Sequence, residues 1–206
     1  GEVVKLYDAL DQSGMERQTK TAIRLLLLTG VRTGELLKSR VSAFDPERQT
    51  LLLPKDITKN KKERTVYLSK QATALLSELA EASTKGLLIQ NRFGDSLSPK
   101  ALMKALSRLQ PVDEEDTTSL LDIPRLRIHD LRRSFASFLA ENLAVYTDVI
   151  ELMLGHSRPK LHITYHVTDR PNEQWVAAQQ LADALESPLE RLAPAMPPTC
   201  PQAMSA

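Results

Sequence analysis

The sequence predicts an α+β fold that is mainly α-helical, with a small antiparallel β-sheet or hairpin near residues 41–68. Three observations lead there. Most of the chain carries aliphatic residues at helical spacing, punctuated by Gly, Pro and Ser. Two short β-prone runs flank a single lysine-rich stretch. The 206 residues are 42% apolar but only 4% aromatic, so Leu, Ile, Val and Ala must fill one core of ordinary domain size.

The elements follow in chain order. Ile23, Leu26 and Leu27 mark the apolar side of a helix over residues 21–29, which Gly30 ends. Thr33 is expected to cap a short helix through residue 40, with Glu35 in its first turn, so Arg32 stands at a helix junction. Residues 51–53 and 65–68 read as the strands of a hairpin whose long basic turn carries Lys59. Ser69 looks like the N-cap of an amphipathic helix to residue 82, with Ala72, Leu75, Leu76 and Leu79 inward.

Ser98-Pro99 opens a helix through about residue 109, because proline is tolerated in a first turn. From Pro111 to Ser119 an acidic, threonine-rich run reads as an exposed loop. Leu131, Phe135, Phe138 and Leu139 make the buried stripe of a helix over 129–142, which puts His129 and Arg132 on one side. A further helix over 145–154 stops at Gly155, immediately before His156. Pro171 begins the last helical pattern, with Trp175, Val176, Leu181 and Leu185 as its apolar residues. Residues 188–206 hold five prolines in nineteen positions and are expected to form a disordered tail.

Net charge is only +1, yet the cations are not spread evenly. Lys55, Lys59, Lys61, Lys62, Arg64 and Lys70 face only Asp56 and Glu63 in their stretch, and Arg125, Arg127, Arg132 and Arg133 surround His129. A locally positive face of this kind can bind phosphate while the molecule stays near neutral. The bland alternative is a solvated charged surface.

Several classes drop out. No stretch approaches the roughly 20 apolar residues that span a bilayer and no signal peptide opens the chain, so a soluble, cytoplasmic protein without membrane contact is expected. Cys200 stands alone and cannot form an internal disulfide. His156, His162 and His166 lack the Cys or acidic partners that a zinc site uses, so no metal is expected.

Arg32, Lys59, His129, Arg132, His156 and Tyr165 together supply what attack on a phosphodiester requires without a metal. Two planar guanidiniums match the two non-bridging oxygens and stay protonated at any working pH. A phenol can attack phosphorus if a base takes its proton, and an amine can protonate the departing oxygen. Taken singly, each has an ordinary explanation: Arg32 as an ion pair with Glu35, Lys59 as a solvated cation, His156 as a helix-end cap, Tyr165 as core filler.

The combination resembles the catalytic domain of the tyrosine recombinases, the phage integrase family. The matching stretches are Thr29-Gly30-Val31-Arg32-Thr33-Gly34-Glu35-Leu36, Thr58-Lys59-Asn60 ahead of Arg64-Thr65-Val66, His129-Asp130-Leu131-Arg132-Arg133-Ser134, and Leu154-Gly155-His156-Ser157, with Tyr165 nine positions after His156. The resemblance implies that Arg32 and Arg132 are the catalytic arginines, Glu35 the supporting acid, Lys59 the hairpin lysine, His129 and His156 the histidines and Tyr165 the nucleophile.

It further implies strand cleavage and rejoining through a 3′-phosphotyrosyl intermediate on double-stranded DNA, with neither metal nor nucleotide cofactor. Lys61, Lys62, Arg64, Arg133, Arg158 and Lys160 are the expected DNA-binding cations. Residues 1–187 would be the catalytic domain, without the N-terminal core-binding domain usual in the family. A homo-oligomer, a tetramer on DNA, is expected to assemble through the C-terminal segment, although residues 171–187 could equally fold back on their own domain. The alternatives are a DNA-binding module of the same fold that does no chemistry, or strand cleavage of the type IB topoisomerase kind.

Overall fold

Leu25, Leu26, Leu27 and Leu28 are four consecutive buried residues, more than one stripe of a surface helix can hide. Their helix runs through the middle of the fold and is buried nearly all round. In the computed structural model, which describes residues 2–112, 118–123, 125–156 and 169–186, this helix is α2 (Arg17–Thr29). It follows α1 (Glu2–Gln12) and precedes α3 (Thr33–Lys38). Next come strands β1 (Phe44–Asp45), β2 (Thr50–Leu53) and β3 (Arg64–Tyr67), then helices α4 (Lys70–Glu81), α5 (Pro99–Ser107), α6 (Ile128–Glu141), α7 (Thr147–Leu154) and α8 (Pro171–Glu186). Helices α3, α4, α5, α6 and α8 all pack on α2.

The expected mainly helical α+β class holds. The strands form one antiparallel sheet in the order β1-β2-β3, pairing Leu51 with Val66 and Leu53 with Arg64. Leu51 and Leu53 face the core while Leu52 between them is exposed, the alternation of a sheet covered on one face. Strand β1 is two residues long, too short to leave a periodic signal.

Most helix positions agree with the sequence reading, and the differences have local causes. Thr33 is not the cap of α3: Arg32 takes the N-cap position in extended geometry, and Glu35 Oε2 accepts its backbone N–H at 3.2 Å. That helix ends at Lys38, two residues early, because Ser39 turns extended and its hydroxyl donates to Glu35 O at 2.9 Å. Ser69 and Ser98 do cap α4 and α5, accepting from Ala72 N and Ala101 N. Helix α1, absent from the sequence reading, buries Leu6, Tyr7, Ala9 and Leu10.

The last helix packs on its own domain. Ala177, Ala178, Leu181, Ala182 and Leu185 are buried, and Val176, expected among the apolar contacts, is exposed instead. Trp175 Nε1 donates to Gln49 Oε1 at 2.7 Å, and Gln179 Oε1 accepts Lys70 N at 2.9 Å, tying α8 to the sheet and to the start of α4. Of the two placements open for this segment, α8 takes the one on its own domain. One cluster of buried apolar residues extends from Leu6 to Leu185. Among the described residues no helix is long and apolar enough to cross a membrane.

The tail over 188–206, most of the acidic loop at 113–117, and Arg158, Lys160 and Tyr165 lie outside the described residues.

Candidate active site

Two helices end in left-handed glycines, and the site is built between those ends. Gly30 closes α2 at φ 61° and Gly155 closes α7 at φ 63°. A helix C-terminus carries unpaired carbonyls and a partial negative charge, which attracts a cation. Arg132, from the first half of α6, lies between the two: its Nη1 donates to Gly30 O and its Nη2 to Leu154 O. The residue is only 8% exposed.

Gly30 is required for more than its backbone angle. A Cβ there would stand 2.5 Å from the ring of Phe135, a fully buried residue of α6. Gly30→Ala is therefore expected to cost about 2–5 kcal/mol of folding stability, part from the left-handed backbone and part from overpacking. Urea denaturation measures it; a loss below about 1 kcal/mol would show that the ring moves freely aside.

Arg32 emerges one residue after this turn. Its Nη1 meets Glu35 Oε1 at 3.0 Å, and Glu35 Oε2 receives Arg64 Nη2 at 3.0 Å. The Glu35 side chain is 2% exposed. Burial alone would raise its pKa, but the charge and hydrogen bonds of Arg64, joined by the backbone and side chain of Arg32, hold it below the ordinary carboxylate value. Arg64 Nη1 continues to Met153 O at 2.9 Å, one residue before the carbonyl that holds Arg132.

Three guanidiniums thus gather around one carboxylate. Burial, then the like charges of Arg32 and Arg64, pull the Arg132 pKa down to about 10, still far enough above neutral to keep it charged. Burial likewise lowers that of Arg64, with Glu35 opposing. The surplus positive charge is suited to an anion.

His156 follows Gly155 directly. Its ring Nδ1 lies 2.6 Å from Glu151 Oε2, its backbone N–H reaches Glu151 O at 3.1 Å, and 42% of its side chain is exposed. Glu151 fixes the ring by Nδ1, so Nε2 is the nitrogen left to meet a ligand. On α6, His129 is exposed one turn before Arg132. Lys59, Lys61 and Lys62 are exposed on the turn between β2 and β3, where the Thr58 hydroxyl donates to Lys62 O at 2.8 Å. Asn60 Nδ2 reaches Gly155 O at 3.4 Å, a long bond that ties the Lys59 turn to the end of α7.

The structure brings together Arg32, Glu35, Arg132 and the α7 end that carries His156, with the Lys59 turn attached to the same end. Arg133 is exposed and pairs with Asp130 at 3.4 Å. Arg64, expected among the DNA-facing cations, is instead only 13% exposed at its side chain and is committed to Glu35 and Met153 O. Asn60 and Glu151 were not singled out by the sequence. The left-handed turn at Gly155 folds His156 back onto a residue five positions earlier, a spacing that no straight helix would pair. Among the described residues no three His, Cys, Asp or Glu side chains are grouped to hold a metal ion.

Comparison with known proteins places the chain in a family. The family model described as the Phage integrase family matches residues 1–170. The prophage integrase IntZ of Escherichia coli K12 is 31% identical over 188 residues, 90% of this chain and 44% of that protein. A probable integrase/recombinase of Acholeplasma phage L2 is 29% identical over 71% of this chain and 47% of its own length. The chain thus spans less than half the length of these two relatives. Among solved structures, the XerH site-specific recombinase bound to difH substrate superposes with a TM-score of 0.60 at 22% identity, covering 90% of this chain and 53% of that one. The integrase of mycobacterium phage Brujita gives 0.62 at 18% identity, covering 88% and 57%. With the family model spanning most of its length, the chain belongs to the phage integrase family, the tyrosine recombinases.

Proposed function

We propose that the protein is a site-specific DNA recombinase or integrase that cleaves and rejoins strands through a 3′-phosphotyrosyl bond formed by Tyr165. The observation that carries this reading is the surplus of guanidinium charge around Glu35, held by the carbonyls of two helix ends. A scissile phosphate placed there would receive Arg32 and Arg132 on its non-bridging oxygens, where charge builds during attack. The XerH structure, bound to its difH substrate, supports DNA as the partner.

In this mechanism the Tyr165 oxygen attacks phosphorus and its proton passes to His129 as general base. His156 Nε2 contacts a phosphate oxygen, while Lys59 protonates the leaving 5′ oxygen. The new phosphotyrosine keeps the energy of the broken diester, so a 5′ hydroxyl from another strand can reverse the step without ATP. Lys61, Lys62, Arg133, Arg158 and Lys160 would lie along the DNA backbone. Exchange between two duplexes passes through four strands with one nucleophile per chain, so a tetramer on DNA in the cytoplasm fits the chemistry. With α8 buried in cis, its contacts would use other surfaces or require that helix to undock.

The test is a set of nicked duplexes cut from DNA flanking the coding locus, incubated with the protein and resolved on a denaturing gel. A covalent protein–DNA adduct is expected. Binding with no adduct on any duplex would instead leave a module that holds DNA without chemistry. Lys59→Ala should slow cleavage about 10²–10⁴-fold, and a 5′-bridging phosphorothiolate, whose thiolate leaves without a proton, should restore most of the rate. A variant that stays slow on that substrate would remove Lys59 from the acid role.

A further inference from the structure

We propose that Arg64 is a positioning residue for strand transfer: it clamps the turn carrying Lys59 to the end of α7 that carries His156. The inference rests on the recombinase reading above. Arg64 opens β3, five residues after Lys59, so wherever its side chain is fixed the end of the lysine turn is fixed too. Its fork spans two elements, with Nη2 on Glu35 of α3 at 3.0 Å and Nη1 on Met153 O of α7 at 2.9 Å. Its stem presses on the glycine between Leu154 and His156, where a Cβ would stand 2.6 Å from both Cδ and Nε of Arg64.

These contacts place Arg64 behind the site, not on its open face. Its Nε is buried with no acceptor among the described residues, and both terminal nitrogens are engaged within the protein. A side chain so enclosed gains nothing from a DNA backbone at the surface. Asn60, on the same turn, makes a second tie to Gly155 O. Arg64 supplies the charge-assisted tie and Asn60 the neutral one.

A lysine cannot reproduce the clamp, because one ammonium does not present two divergent donors in a plane. Arg64→Lys keeps the positive charge and the aliphatic stem over Gly155, so it separates clamping from charge and from packing. The measurement is single-turnover cleavage at saturating DNA on an ordinary nicked duplex and on its 5′-bridging phosphorothiolate twin, alongside DNA affinity across salt concentrations.

Arg64→Lys is expected to cleave the ordinary duplex roughly 10- to 100-fold more slowly, within the range that acid catalysis supplies. The phosphorothiolate should recover most of that loss, shifting the rate ratio in the direction that Lys59→Ala shifts it. DNA affinity and its salt slope should stay at wild-type values. Equal slowing on both substrates would overturn the proposal in favour of a purely structural role. Weaker binding with a salt slope reduced by about one would overturn it in favour of a phosphate contact. Wild-type rates on both substrates would overturn it outright. Failure of the recombinase reading is separate, because the unaltered protein would then give no adduct.

Discussion

Tyr165→Phe is expected to form no covalent adduct on any nicked duplex while binding DNA with an affinity within about twofold of the unaltered protein, since only one hydroxyl is removed and phosphate binding rests on the cations. The loss should be complete because no other tyrosine is placed to substitute. Tyr7 is buried beneath the guanidinium of Arg24. Tyr146 precedes α7 at the end opposite Gly155, about 12 Å along the helix. Tyr67 lies three residues after Arg64, but partial burial and the Asp169 carboxylate push its phenol above the ordinary value, away from the phenolate that attack needs. Denaturing electrophoresis reads the adduct and a gel shift reads binding. Residual adduct at even a hundredth of the normal amount would place the nucleophile elsewhere.

Arg132→Ala should reduce cleavage about 10²–10³-fold, the usual cost of losing one preorganised donor to transition-state charge. The competing outcome is that the variant unfolds. Removing the guanidinium leaves Gly30 O and Leu154 O without their donor, at about 1–3 kcal/mol each where water cannot enter. It also removes a cation whose pKa burial and two neighbouring arginines pull down to about 10, and so relieves a destabilising contribution. The two effects oppose each other, so the variant should remain folded in urea titrations and fail on DNA. Cleavage within tenfold of normal would take Arg132 out of the phosphate clamp.

How much of this was legible beforehand depends on the kind of interaction. Helices with one apolar stripe, such as α4 and α6, announced themselves through spacing, and Gly30 and Gly155 marked the ends of α2 and α7 correctly. Helix α2 was read from three apolar positions and turned out buried on nearly every side, because leucine runs carry no periodicity to reveal a second covered face. The Arg32–Glu35 ion pair was one ordinary reading of the sequence, while a supporting role for Glu35 was implied only by the resemblance. Arg64 could not be separated from the lysines around it, since a run of charges does not say which member points inward. The contacts to Met153 O, Leu154 O and Gly30 O are invisible to any reading of side chains, because the acceptor is backbone that every residue possesses.

Reliance on backbone acceptors sets how this candidate site tolerates change. Substituting Leu154 or Met153 alters what packs beneath, yet leaves the oxygen that grips each arginine where it was. Removing a single residue from α7 would turn its final oxygens by about 100° and strand both arginines at once. Drift in composition is therefore forgiven at this helix end, and drift in its length is not.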